Sequence, residues 1–206
     1  IYCSNSLPST KIFKGFVLKL VVSDGISIAT WRFFFKSIKF CSKCCIKGFA
    51  CNNLYISDRA HVIFDYHKEL DGLSEESLGA NKIGTTKKGI GPCYTDKIAR
   101  QGIRVSDFIS NDFEKIYKAT LKIKNEQIKK YGGKIFDVEK SYEEYQKLAD
   151  EIKPYVTDTI TLLNDEVKKG KKILFEGAQG ALLDIDFGTY PFVTSSNPSG
   201  GGVCIG

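Results

Sequence analysis

The stretch at residues 83–92, with the sequence IGTTKKGIGP, combines residue types that bind phosphate. Glycines allow backbone N–H groups to turn toward a ligand, and threonine hydroxyls and lysine ammonium groups add further donors. Pro92 suits the first turn of a following helix, whose N-terminus would contribute partial positive charge. These residues indicate an anion-binding loop, with an ordinary glycine turn as the alternative. No GxxxxGK[ST] sequence occurs in the chain, so this is not a Walker A loop.

Arg100 and Gln179 could each add a specific contact to such a ligand. Arg100 lies two turns into the helix predicted after Pro92, where its guanidinium could clamp a phosphate through two hydrogen bonds. The alternative is an i,i+4 ion pair with Asp96. Gln179 lies in a glycine turn after a predicted strand, where open α/β sheets bind ligands. Its amide can donate and accept, as the O6/N1 edge of a purine requires, or it could satisfy backbone groups of the turn.

A second candidate anion-binding region starts at Thr194, where the sequence TSSN leads into a glycine run. Asp184 and Asp186 would share one face of an extended segment, which could suit a metal ion or an acid–base pair, although turn and cap roles are commoner. His61 and His67 have no cysteine or triad partner nearby in the sequence, and we interpret both as structural. We therefore assign no catalytic residue and no metal-binding residue.

Helices and strands alternate after residue 54, which predicts an α/β fold with a mostly parallel sheet flanked by helices. Residues 60–67 fit either a short strand or the start of a helix, and we favour the helix. The other predicted elements are a capped turn at 74–78, a helix from Pro92 to Gly102, long helices at 106–131 and 138–169, and a buried strand at 171–175.

Residues 1–53 form a basic segment, rich in cysteine and phenylalanine, that we leave unassigned, and residues 54–206 form the region that carries the motifs. Eight lysines and arginines face one acid, Asp24, in residues 1–57, but they are scattered, which disfavours nucleic-acid binding. The cysteines from Cys41 to Cys51 include one CxxC without a second pair or a nearby histidine, which disfavours zinc. Lysines interrupt both apolar runs, short of the roughly 20 residues of a membrane span.

The chain has no methionine, begins with Ile1 and ends within a glycine run. We therefore expect an internal fragment of a longer protein, with an incomplete fold. The composition, 42% hydrophobic and 26% charged, excludes collagen, a wholly disordered chain and a polytopic membrane protein.

Taken together, these motifs resemble the adenylosuccinate synthetase family. The resemblance rests on the stretches at 56–61, 83–94, 97–100, 175–180 and 183–197, in this order and with a long helical spacer between the loops. It covers about residues 54–206, and the adjacent Lys87 and Lys88 resemble the eukaryotic form of the family.

The resemblance implies a GTP-dependent ligase of AMP biosynthesis, which uses Mg²⁺ and joins IMP and L-aspartate to form adenylosuccinate. Carried over by position, Thr86 and Thr194 would hold the IMP 5′-phosphate, and Gln179 would hydrogen-bond the hypoxanthine edge. Arg100 would reach the phosphate of IMP bound in the other subunit of a homodimer. The resemblance also implies a cytoplasmic enzyme without nucleic-acid or membrane partners.

The sequence also departs from the family pattern. The glycine-rich GDEGKGK loop, which carries the catalytic aspartate and the Mg²⁺ contacts, has no counterpart, and the histidine that acts as general acid is absent. We therefore expect the fragment alone to be inactive, with ligands for GTP and Mg²⁺ largely missing. The alternative function is a non-catalytic nucleotide-binding or dimerisation remnant.

Overall fold

The computed structural model describes residues 17–22, 26–31 and 54–204. The cysteine cluster between Cys41 and Cys51 lies outside the described residues, so the interpretation of that cluster stays a prediction. The same holds for the division of the chain at residue 53.

Five strands form one sheet in the spatial order β4-β3-β2-β1-β5. Strand β2 pairs in parallel with β3, and β3 pairs in parallel with β4, whereas β1 pairs antiparallel with both β2 and β5. The strands are β1 (Val17–Val22), β2 (Ile26–Trp31), β3 (Leu54–Ser57), β4 (Val156–Thr157) and β5 (Ile173–Glu176).

Six described α-helices accompany the sheet, which confirms the predicted α/β class. They are α1 (Asp65–Ser77), α2 (Ile90–Ala99), α3 (Val105–Phe108), α4 (Phe113–Lys130), α5 (Val138–Ile152) and α6 (Thr159–Lys168). Single 3₁₀ turns occur at Gly79–Asn81, Lys153–Tyr155, Ala181–Leu183 and Gly200–Cys204. None of the helices in the described part of the chain is both long and apolar enough to cross a membrane.

Two of the predicted helices are interrupted. The helix expected at 138–169 divides at a 3₁₀ turn that contains Pro154, since proline cannot donate the backbone hydrogen bond that would continue the helix. The second part, α6, starts anew at Asp158, whose carboxylate accepts hydrogen bonds from the amides of Ile160 and Thr161. The helix expected at 106–131 likewise divides into α3 and α4.

Two other expectations were wrong. The capped turn expected at 74–78 is mostly the last turn of α1, which continues to Ser77. The strand expected to be buried, β5, leaves Leu174 61% and Phe175 40% exposed. Consecutive side chains of a strand point to opposite faces of the sheet, so neither face of β5 is fully covered at these residues.

An aromatic core fixes the position of α1. Phe64 is completely buried just before α1, with ring centroids 4.8 Å from Tyr145, 5.1 Å from Tyr117 and 6.0 Å from Phe108. Tyr117 belongs to the buried stripe of α4, so the core joins α1 to α3, α4 and α5. Such close packing holds α1, and with it the polar side chains of this helix, in a fixed position.

Candidate functional site

Of the anion loop predicted at residues 83–92, residues 83–89 form a loop between the turn after α1 and the start of α2, and residues 90–92 form the first turn of α2. Thr86 lies in this loop and is exposed. Gly89 precedes α2 with φ +76°, and an added Cβ would lie 2.8 Å from Cβ of His67 and 2.9 Å from its carbonyl carbon. Glycine is therefore required here, both for the left-handed conformation and for close packing on α1. The predicted loop followed by a helix is thus present.

The structure brings the Thr194 segment to the start of α2. An added Cβ at Gly91, in the first turn of that helix, would lie 3.4 Å from Oγ of Ser195. Thr194 is half-buried, its N–H donates to the carbonyl of Leu183 at 2.9 Å, and its hydroxyl accepts from Ser196 at 3.3 Å. The two segments that the sequence analysis selected for anion binding are therefore neighbours in space, although they are far apart in the chain.

Asp184 organises the turn that supports Thr194. Its buried carboxylate accepts hydrogen bonds from the amides of Asp186 and Phe187 at 2.9 and 3.3 Å. It also accepts from the amide of Ser199 and from the side chain of Asn197, both at 3.2 Å. Of the alternatives left open by the sequence, these contacts favour the turn role over a metal or acid–base role.

The pKa of Asp184 follows from these contacts. Burial acts to raise it, but the hydrogen bonds from Ser199 and from the amides of Asp186 and Phe187 prevail and lower the pKa to about 2. The carboxylate is therefore ionised at neutral pH.

Lowering the pH should loosen the turn around Asp184. A carboxyl group whose pKa is depressed on folding stabilises the protein above its unfolded pKa, near 3.9, and this stabilisation disappears as the pH falls through the folded value of about 2. We expect the difference in unfolding free energy between the wild type and Asp184→Asn to be constant above pH 5 and to shrink between pH 4 and pH 2. Urea titrations followed by circular dichroism would measure it. A difference independent of pH would contradict the assignment.

Arg100 and Gln179 share an uncommon backbone conformation. Their φ values are +60° and +73°, and with Lys87 at +52° they are the non-glycine residues with positive φ in the described part of the chain. Such conformations are costly for residues with a Cβ and cluster at ligand sites. Both side chains are exposed. No hydrogen bond or ion pair among the described residues joins Gln179 to Thr86, Arg100 or Thr194.

The sequence left open an ion pair between Arg100 and Asp96. The described side chains do not form it. Asp96 instead binds Lys124 Nζ through Oδ1 at 2.6 Å and His67 Nε2 through Oδ2 at 3.0 Å. All three side chains of this cluster, which we call the buried triad, are at most 6% exposed to solvent. The triad joins α1, α2 and α4, so it fixes the orientation of the helix that begins at the anion loop.

The protonation states of the buried triad are set by its surroundings. Burial lowers the pKa of His67 and outweighs the opposing effect of Asp96, so the imidazole is neutral. The N–H of Phe64 donates to its Nδ1 at 2.9 Å, which leaves Nε2 to carry the proton and to donate it to Asp96. Burial raises the pKa of Asp96, but hydrogen bonds from His67 and Lys124 prevail and lower it. Asp96 and Lys124 are thus a buried ion pair.

Sequence reasoning identified His67 as structural but missed Lys124. The signal was present, because Lys124 lies three residues after Leu121 and four before Ile128 in the apolar stripe of α4. A lysine at such a position is buried and needs an anionic partner.

Nowhere in residues 54–204 do three or more histidine, cysteine, aspartate or glutamate side chains come together to hold a metal ion.

Known proteins of one family are similar to this chain in sequence. A sequence model of adenylosuccinate synthetase matches residues 2–206. The chain belongs to the adenylosuccinate synthetase family. It is 59% identical over 157 residues to the adenylosuccinate synthetase of Clostridioides difficile strain 630, covering 75% of this chain and 37% of that protein. It is 55% identical over 162 residues to the adenylosuccinate synthetase of Heliobacterium modesticaldum, covering 78% and 38%.

A solved adenylosuccinate synthetase has the same fold. The fully ligated enzyme from Plasmodium falciparum superposes with a TM-score of 0.72 at 32% identity, covering 89% of this chain and 44% of that one. The chain thus spans less than two fifths of the length of the two curated synthetases. Because both of these are bacterial, the resemblance to the eukaryotic form stays a prediction.

Proposed function

We propose that this chain carries the IMP-binding part of an adenylosuccinate synthetase, which joins IMP and L-aspartate to form adenylosuccinate with hydrolysis of GTP. The observation that carries the proposal is the approach of Gly91 to Ser195, at 3.4 Å from an added Cβ to Oγ. It brings two segments rich in hydroxyl groups and glycine to the N-terminus of one helix, where backbone N–H groups and the helix dipole favour a phosphate.

In this proposal, the residues predicted from the sequence divide the recognition of IMP. The hydroxyls of Thr86 and Thr194 hold the 5′-phosphate, and Gln179 hydrogen-bonds the hypoxanthine edge. The positive φ of Gln179 supports a role at a ligand, since such a conformation is costly for a residue with a Cβ. Holding IMP both at its phosphate and at its hypoxanthine edge would present the 6-oxygen of the purine in one orientation for activation.

The proposal also includes a cytoplasmic homodimer. Arg100 lies exposed at the C-terminal end of α2, away from the loop that starts the helix, and this supports a contact outside its own site. A guanidinium in that position suits the phosphate of IMP bound by a second subunit. No three metal-ligating side chains come together among the described residues, so the proposal assigns no residue of this chain to the Mg²⁺ that the family uses. We expect a coupled assay to detect no adenylosuccinate formed by this chain alone.

Isothermal titration with IMP tests the proposal. We expect Gln179→Ala to weaken IMP binding about tenfold, because the purine loses a hydrogen bond that orients it. Gln146→Ala serves as the control, since Gln146 bonds to Tyr142 and Asp150 on the surface of α5. Equal affinities of the Gln179→Ala variant and the wild type would remove Gln179 from the site. A wild type that binds no IMP would refute the proposed function.

A further inference from the structure

Two carboxylates of α1 hold the inner side of the anion loop. Glu75 Oε1 accepts the N–H of Gly84 at 2.6 Å, and Asp71 Oδ2 accepts the N–H of Gly89 at 2.8 Å. The other oxygen of Asp71 accepts the hydroxyl of Thr85 at 2.8 Å. Both acidic residues are only 7% exposed, and their spacing of four residues places them on one face of α1. The loop is therefore fastened to the helix at both of its ends.

A short chain of hydrogen bonds extends from Asp71 to the residue after Thr86. The hydroxyl of Thr85 donates to Asp71 and accepts the N–H of Lys87 at 3.2 Å. Lys87 has φ +52°, a conformation that needs such support. Thr86 lies between the two residues that this chain joins, so its backbone is fixed on both sides while its side chain stays exposed.

Carboxylates near a phosphate site require a reason, since they repel the ligand. We propose that Asp71 and Glu75 are positioning residues for phosphate recognition, which act by fixing the loop that presents Thr86. This inference rests on the proposed function. Because three of their four oxygens accept hydrogen bonds from donors of the loop, the carboxylates order the loop before the ligand arrives. A loop already ordered loses less conformational entropy on binding, and the ligand binds more tightly.

The contribution of the phosphate can be isolated by titrating the 206-residue chain with IMP and with inosine. We expect Asp71→Ala to weaken the affinity for IMP about tenfold and to leave the affinity for inosine unchanged, because only IMP contacts the loop through a phosphate. Asp71→Asn keeps one acceptor oxygen and should restore part of the affinity. Glu69→Gln is the matched control, since Glu69 also lies on α1 but accepts from the amide of Lys134 instead. Equal losses for IMP and inosine would overturn the inference, and circular dichroism verifies that each variant is folded.

A double-mutant cycle distinguishes positioning from general stabilisation. If Asp71 acts through Thr86, then adding Asp71→Ala to the Thr86→Ala variant should weaken the affinity for IMP less than about twofold. Independent effects that multiply in the double variant would overturn the inference.

Hydrogen exchange tests the loop separately from the ligand. We expect Asp71→Ala to accelerate exchange of the Gly89 amide about tenfold or more, since this amide loses its acceptor. If exchange is accelerated but the chain binds no IMP, the proposed function is refuted, whereas the ordering of the loop by Asp71 is supported. Unchanged exchange would overturn the inference whether or not IMP binds.

Discussion

Replacing Asp96 with alanine should lower the free energy of unfolding by about 3–5 kcal/mol, because it leaves the ammonium of Lys124 buried without its counter-charge. His67 loses the acceptor of its Nε2–H in the same change. Both losses occur at a site excluded from water, where solvent cannot replace the missing partner. Urea denaturation followed by far-UV circular dichroism would measure the change.

Two further variants show whether the loss comes from the unpaired charge. Adding Lys124→Met to Asp96→Ala removes the buried cation and should recover at least about 1–2 kcal/mol. Glu76→Gln breaks an exposed ion pair with Lys87 and should destabilise the protein far less than Asp96→Ala does. If Asp96→Ala were no more destabilising than Glu76→Gln, the buried triad would not hold the helices together.

The Gly89→Ala substitution should destabilise the protein by about 2–5 kcal/mol, the sum of left-handed strain and overpacking. The strain arises because φ is +76°, and the overpacking arises because the new Cβ would meet backbone atoms of His67 and Lys68 at 2.9 Å. Backbone atoms within a helix cannot move aside as the end of a flexible side chain can. The thermal midpoint measured by circular dichroism would report the loss, and IMP affinity should fall with it since the loop can no longer close on α1.

Gly84→Ala is the matched control for this prediction. Gly84 also has a positive φ, +87°, but an added Cβ has nothing within 4 Å. Gly84→Ala should therefore destabilise the protein only through backbone strain, by about 1–2 kcal/mol. Equal effects at the two glycines would show that close packing on α1 does not limit the loop.

The sequence was informative where local chemistry determines structure. The glycines and Pro92 predicted a loop followed by a helix, and α2 begins at Ile90, within two residues of the expected start. The apolar spacing of residues 113–128 predicted the buried stripe of α4. The α/β class is confirmed, as is the family, whose model matches residues 2–206. Periodicity and turn residues act over a few positions, so they can be read without knowing the fold.

Errors arose where neighbours distant in sequence determine the outcome. The apolar pattern of β5 predicted burial, but burial of a strand depends on which elements cover it, and Leu174 is exposed. The sequence left open an ion pair of Asp96 with Arg100, four residues away, but Asp96 binds Lys124 and His67 from other helices. A pattern within one element cannot indicate which of two cations will lie on the same side of a buried carboxylate.

The sequence alone determined the family and the residue types for an anion site, since hydroxyls, glycines and lysines have the same chemistry wherever the chain places them. Only the tertiary structure decided that the start of α2 lies against Ser195, and that Asp71 and Glu75 hold the loop from behind. The physical reason is that such contacts depend on the relative positions of helices. A buried core and the triad of His67, Asp96 and Lys124 set those positions through interactions between residues far apart in the chain.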